Sequence, residues 1–243
     1  MSTPLKTVDV ALLSSFGNCF LIEVIREMGA LGIQPKAVIL DGAQSAASKK
    51  IVESRLLPTY PFVSLTEMDL PNIPFYFVQD HNSASTLKLI QNLKVSYLAN
   101  AGTPRILKTP ILNSVKGVLN CHPGILPSYR GCTCVEWSIF NGDPVGASSH
   151  LMTPGIDDGP LLKSQILVVK PFESYEQVRT KMMTHQAKLL VVSLIYMIKN
   201  SYSLDNPPPQ PVKSESNYYK PIPQDKLQTV VTKMLSGHYQ SSE

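Results

Sequence analysis

Asn120 and His122 stand two positions apart in the segment GVLNCHPGILPSYRG, which runs from Gly117 to Gly131. The segment opens apolar, Gly117-Val118-Leu119, as a buried strand would. Side chains alternate along a strand, so the amide and the imidazole point to the same side. Pro123, Gly124, Pro127 and Gly131 then impose a stiff, non-repetitive loop. A parallel sheet delivers reactive groups at its carboxyl edge in this way. An acid on another loop would complete the set, and Asp157 of the GIDDG segment is the candidate. No nucleophile is aimed as in G-x-S-x-G, although Ser128, Ser148 and Cys121 are near in sequence. His122, His150 and Asp157 lack the tight spacing of metal motifs, so no metal is expected. An amide donor, a protonatable imidazole and a carboxylate can stabilise an oxyanion and move protons while a bound substrate supplies the nucleophile. That is acyl transfer between two small molecules without a covalent enzyme intermediate.

The elements that must position these groups alternate strand and helix. Val8 to Leu13 reads as a strand buried on both faces, Cys19 to about Leu31 as a helix, and Ala37 to Leu40 as a second strand ending at Asp41. This βαβ unit predicts a parallel sheet. The first loop, Ser14 to Asn18, has one glycine and fails the G-x-G-x-x-G fingerprint, so no nicotinamide cofactor is expected. It either offers N–H groups and the Asn18 amide to a phosphate, with Ser15 beside it, or is a tight turn capped by Asn18. Ser45 to Leu57 reads as a short helix, and Pro58, Pro61, Pro71 and Pro74 make the following stretch loop-rich. Strands are expected at Phe75 to Val78, Val95 to Ala99, Gly117 to Leu119, Val145 to Met152 and Leu161 to Val169. His81 follows the first of these, either touching a ligand or serving as a cap or solvated side chain. Cys134 to Asn141 reads as a helix whose Trp137 is a core anchor. Ser174 caps the strongest helix, to Lys199, with Gln177 three residues on. After Pro207-Pro208-Pro209 come an arm at Tyr218 to Pro223, a helix from Gln224 to Leu235 and a frayed tail.

Composition bounds the function. The chain has 243 residues, 43% of them hydrophobic, with 22 Lys and Arg against 18 Asp and Glu, a net charge of +4. That fits one large domain, or one domain plus an appendage. The charge tolerates anionic ligands but is too diffuse for a nucleic-acid binder. The four cysteines form no zinc pattern and read as free thiols of a reducing compartment. No signal peptide is evident and the longest apolar run, near Leu189 to Met197, is too short to cross a bilayer. A soluble cytoplasmic protein is expected.

NCHPGILPSYRG, the upstream AGTPRIL and the downstream GIDDG together resemble the N10-formyltetrahydrofolate-dependent formyltransferases. In that family a strand ends in Asn-x-His-Pro-x-x-Leu-Pro-x-x-x-Gly, and an Asp sits in a later loop before a Gly. The resemblance, from the first strand to about Val169, implies a Rossmann-like, mostly parallel α/β sheet flanked by helices; the proline run after Asn206 divides the chain into a catalytic domain over 1–205 and a C-terminal extension over 206–243. It implies N10-formyltetrahydrofolate as co-substrate. Asn120 would hold the formyl oxygen, His122 would stabilise the oxyanion and shuttle the proton, and Asp157 would accept the proton of the attacking amine. Asp158 reads as a turn residue. The pterin would lie against Gly102, Thr103, Arg105, Ile106 and Leu107 and against Pro154 and Ile156, although Ile106 and Leu107 also suit the core. Arg130 would face the acceptor or brace the loop.

The family divides by acceptor. Methionyl-tRNA enzymes resemble a longer, more basic chain, and the deformylating hydrolases carry an N-terminal regulatory domain. Glycinamide ribonucleotide transformylase has a glycine-rich phosphate cradle and usually a Ser after His-Pro, where this chain has Gly124. The run around Gly124 and the segment NYYKPIP look closer to the sugar N-formyltransferases. The expected acceptor is therefore the amine of a deoxyamino sugar, nucleotide-linked and destined for a surface glycan such as lipopolysaccharide O-antigen, with Ser15, Asn18, His81, Gly124 and Arg130 as acceptor contacts. The alternatives are glycinamide ribonucleotide and a non-catalytic folate-binding module. The arm or an apolar patch could seat a second copy as a homodimer; no nucleic-acid or membrane partner is expected.

Overall fold

The structure, a computed structural model, describes residues 5–43, 46–61, 73–211 and 215–242. Its centre is a seven-stranded sheet in the order β3-β2-β1-β4-β5-β7-β8. These strands are β1 (Lys6–Phe16), β2 (Ile33–Ala43), β3 (Phe75–Val78), β4 (Tyr97–Asn100), β5 (Gly117–His122), β7 (Gly146–Leu151) and β8 (Leu161–Ile166). β1 to β5 are mutually parallel, β7 runs antiparallel to β5, and β8 antiparallel to β7. The mostly parallel α/β sheet expected from the sequence is what forms.

Alternation along the strands divides the core in two. Val10, Leu12, Val38, Leu40, Ala99 and Leu119 face one side, where α1 (Cys19–Ala30), α5 (Cys134–Asn141), α6 (Tyr175–Asn200) and α7 (Gln224–Leu235) cover them. Ala11, Leu13, Ala37, Ile39, Leu98 and Val118 face the other, under α3 (Ala84–Leu93) and α4 (Thr109–Leu112). Strands buried on both faces read as unbroken apolar runs, which is why β1 and β2 were legible. The remaining elements are α2 (Ala46–Glu53) and two short strands, β6 (Arg130–Gly131) and β9 (Tyr218–Tyr219), which pair in parallel. At α6, the Ser174 side chain accepts from the Gln177 N–H while the Gln177 side chain accepts from the Ser174 N–H, the reciprocal cap foreseen from the sequence.

Several expectations need correction. β1 runs to Phe16, so Ser14 and Ser15 are buried strand residues and the turn shrinks to Gly17 and Asn18. The tail is not frayed: Val169 and Ser241 exchange two backbone hydrogen bonds of 2.9 and 3.0 Å, and Tyr239 is buried. β8 accordingly stops at Ile166, leaving Val169 to the tail. Trp137 is not a core anchor; its Nε1–H donates to the Lys220 carbonyl at 2.8 Å and its ring meets Tyr219, so it anchors the C-terminal arm. Ser45 and Pro71 lie outside the described residues.

Candidate active site

Three polar side chains form a row across the carboxyl end of the sheet, on the face covered by α3 and α4. Asn120 of β5 is in register with His150 of β7, and Asn100 of β4 follows the Ala99–Leu119 pair directly. Asn100 Nδ2 donates to Asn120 Oδ1 at 2.9 Å, and Asn120 Nδ2 lies 3.0 Å from His150 Nε2. His122, two residues beyond Asn120, shares its side of the strand. Its Nε2–H donates to the Tyr129 carbonyl at 2.8 Å, and its Nδ1 lies 3.3 Å from Asp157 Oδ2. Asp157 Oδ1 is 3.5 Å from His150 Nε2, and Asp157 Oδ2 accepts the Gly131 N–H at 3.0 Å. The acid chosen from the sequence lies beside the His122 imidazole and one residue of the row away from the Asn120 amide, across His150. It is held with φ of 50°, in the left-handed region that a non-glycine residue enters at a cost.

Burial alone would raise the Asp157 carboxyl, but the His150 and His122 imidazoles and the Gly131 N–H outweigh it and hold the group below the ordinary carboxylate range. His122 is pulled down by burial, against the opposing pull of Asp157. The GIDDG loop is tied by Arg130, whose Nε and Nη2 donate to the Ile156 carbonyl at 3.0 and 2.7 Å. Asp158 accepts from the Thr153 hydroxyl and lies 3.7 Å from Arg130, within the turn.

A cavity of about 110 Å³ opens on this constellation. Asn120, His150 and Asp157 form its polar wall, and Arg105 to Leu107 and Thr153 to Ile156 flank it. Ile106 and Ile156 present exposed aliphatic side chains there, whereas Leu107 belongs to the core. His122 does not line this cavity. A second cavity of about 440 Å³, with Leu126, Arg130, Gln210 and Ser216 on its wall, meets the first at Asp157.

The remaining expected ligand contacts are committed within the protein. Asn18 Oδ1 accepts from the Phe20 N–H, capping α1, and Asn18 Nδ2 donates to the Gly102 carbonyl at 3.0 Å. A Cβ on Gly102 would stand 2.3 Å from that amide, so the glycine permits the contact. His81 is fully buried: Nε2–H donates to the Ile39 carbonyl at 3.0 Å, and Nδ1 accepts the Thr103 hydroxyl at 2.6 Å. It is therefore neither solvated nor at a ligand surface. Arg105 is drawn to Asp41, which it meets through Nε and Nη2, and to the Gln79 carbonyl at 2.8 Å. A Cβ on Gly124 would lie 2.8 Å from His122 Nε2 and 2.6 Å from the Tyr129 carbonyl, so glycine is required there to seat the imidazole. Pro154 lies in the loop flanking the first cavity. Asn100 and His150 are the site residues that sequence reasoning missed. Each is one polar residue in an apolar strand, and only the register reveals that they meet Asn120.

A fold of this topology with this constellation defines a class, and comparison with known proteins gives the family. The sequence profile described as "Formyl transferase" matches residues 41–194, and the chain belongs to that family. The methionyl-tRNA formyltransferase of Cyanothece sp. is 32% identical over 126 residues, 51% of this chain and 38% of that protein. The enzyme of the same description from Thermotoga neapolitana is 26% identical over 183 residues, 74% of this chain and 56% of that one. The chain thus spans roughly half the length or less of such curated relatives. Among solved structures, a sugar N-formyltransferase from Shewanella sp. superposes with TM-score 0.59 at 18% identity, over 89% of this chain and 77% of that one. A phosphoribosylglycinamide formyltransferase from Bacillus halodurans gives 0.58 at 17% identity, over 81% and 97%. These likenesses show the shared fold. Among the described residues no cluster of His, Cys, Asp and Glu is arranged to hold a metal, and no helix is long and apolar enough to cross a membrane.

Proposed function

We propose that this protein transfers the formyl group of N10-formyltetrahydrofolate to the primary amine of an amino sugar, with Asn120, His122 and Asp157 as its catalytic residues. The observation that carries the reading is the position of Asp157, from a loop beyond β7, which shares a cavity wall with Asn120 and stands 3.3 Å from His122 just behind it. The folate would supply an activated formyl carbon on N10. The cavity between Ile106 and Ile156 suits a flat ring held by aliphatic contacts.

In this mechanism the acceptor nitrogen attacks the formyl carbon and the carbonyl oxygen takes up negative charge. Asn120 donates an amide hydrogen to that oxygen. Asp157, held ionised, takes the proton the ammonium loses, and His122 Nδ1 can share it; the positive charge on the imidazole then faces the oxyanion. Collapse breaks the bond from carbon to N10, which recovers the proton. Asp157 stands on the wall of both cavities, so co-substrate and acceptor can approach it from two sides.

The choice of acceptor rests on the first turn of α1. A phosphate cradle there is disfavoured because Asn18 already caps the helix and Cys19 packs among Leu56, Tyr60 and Met183. That argues against an acceptor whose phosphate must sit at that point, as glycinamide ribonucleotide would require. The curated relatives favour methionyl-tRNA as a second reading.

The test is incubation with N10-formyltetrahydrofolate and a panel of amino-sugar nucleotides, glycinamide ribonucleotide and methionyl-tRNA, with mass detection of the added formyl group. Formylation of methionyl-tRNA or glycinamide ribonucleotide alone would replace the sugar reading. His122→Asn and Asp157→Asn should each abolish turnover while folate binding persists, since an oxyanion-type interaction is worth about 3–4 kcal/mol. Turnover near the parent rate in either variant would remove that residue from the mechanism.

A further inference from the structure

The row from Asn100 to His150 has a direction, and backbone groups impose it. Asn100 Oδ1 accepts two N–H groups, from Gly102 at 3.0 Å and Thr103 at 2.8 Å. An amide nitrogen could accept neither, so the Asn100 amide cannot be reversed. Its Nδ2 therefore faces Asn120 and needs an acceptor, which makes the nearer atom of Asn120 its oxygen. Asn120 then presents Nδ2 to His150, and His150 Nε2 must accept. The ring proton must lie on Nδ1, where the Leu151 carbonyl takes it at 3.0 Å. Asp157 Oδ1, at 3.5 Å from the same Nε2, is a neighbour and not a hydrogen-bond partner. With both rings neutral, the proton that the Asp157 carboxylate accepts in hydrogen-bond geometry is that of the Gly131 N–H.

We infer that Asn100 is a positioning residue that fixes which end of the Asn120 amide and which ring nitrogen of His150 face the site. One hydrogen of Asn120 Nδ2 is used on His150, leaving the other for a ligand oxygen. With the amide reversed, Asn120 would offer an oxygen to the developing oxyanion and repel it. Protonating His150 on Nε2 would likewise force donor against donor along the row. Gly102 and Thr103 lead into the Arg105–Leu107 segment that flanks the cavity, so the same amide that orders the start of that loop sets the polarity of the catalytic wall. The catalytic part of this inference rests on the proposed formyl transfer; the polarity itself does not.

Asn100→Asp is the informative variant. The new carboxylate still accepts the Gly102 and Thr103 N–H groups but offers Asn120 only acceptors, so the Asn120 amide turns over and His150 must carry its proton on Nε2. The 15N chemical shifts and couplings of the imidazole distinguish the two tautomers, with His150 assigned by comparison with His150→Gln. The parent protein should show His150 protonated on Nδ1, opposite to His81, and Asn100→Asp should show Nε2. If the parent is active, kcat should fall ~10²-fold in Asn100→Asp, as expected for a lost oxyanion donor, with KM for the folate within about twofold. An Nε2 proton on His150 in the parent overturns the inference without any variant. So does an unchanged tautomer in a folded Asn100→Asp protein, or a changed tautomer with unchanged kcat. If the parent formylates nothing, the proposed function fails, while the tautomer alone decides the polarity.

Discussion

At the scale of single residues, the three buried histidines have distinct tasks set by their neighbours. His81 is satisfied as a neutral ring, giving Nε2–H to Ile39 and receiving the Thr103 hydroxyl, and burial pulls it below the ordinary histidine value. Its folded pKa is thus lower than its unfolded one, near 6.5. Stability is whole above that pH; below it the unfolded chain takes a proton that the folded chain refuses, so stability falls as pH drops. The slope is at most about 1.4 kcal/mol per pH unit for one such group, and His122 adds in the same sense. Urea midpoints between pH 7.5 and 5.5 should fall, and His81→Gln should flatten the fall; equal falls in the two proteins would refute this role. Asn-x-His and the acid of GIDDG were legible because their chemistry and spacing are local. His81, Asn100 and His150 were not, because each gains meaning from a partner on another strand. Gly124 was read as a clue to the acceptor, and the space around it gives a plainer reason: the imidazole of His122 fills the place a Cβ would take.

At the scale of elements, the short turn from Tyr129 to Cys132 supports both His122 and Asp157. Tyr129 accepts from His122, Gly131 donates to Asp157, and Arg130 ties down Ile156. Behind this turn lies the C-terminal arm. Arg130 N–H donates to Asn217 at 3.0 Å, Cys132 N–H to Tyr219 at 2.9 Å, and the rings of Tyr129 and Tyr219 stack at 5.0 Å. Weakening the arm should therefore disturb catalysis more than folate binding. Gly131→Ala would set a Cβ 2.4 Å from the Tyr219 carbonyl and force the pairing apart. Its kcat should fall at least about tenfold, given how steeply rate depends on placement, with folate affinity measured by fluorescence nearly unchanged. An unaltered kcat in folded protein would show that the arm does not hold the turn. The arm was visible in the sequence as NYYKPIP, but its pairing was not. Two-residue strands carry no periodicity, and a contact between distant segments leaves no local signature.

At the scale of the molecule, the βαβ alternation and the double burial of the central strands made the sheet legible. The place of the C-terminal extension was not, because the proline run before it reads as a boundary. Val230 and Met234 of α7 and Tyr239 beyond it join the same hydrophobic cluster as β1, α1 and α6. Met234→Ala should cost about 2–4 kcal/mol and lower a single unfolding transition. Far-UV circular dichroism and the fluorescence of Trp137, the one tryptophan, should report the same midpoint. An earlier transition seen by Trp137 alone would make residues 206–243 a separately melting unit. The pairing of β6 with β9 also orders events in time. Ser216, which receives the Arg130 guanidinium, is 86 residues further along the chain, so a ribosome finishes the turn from Tyr129 to Cys132 long before it makes the segment that secures it. A growing chain would therefore carry Asn120, His122 and Asp157 before the arm that backs their supporting turn has been made.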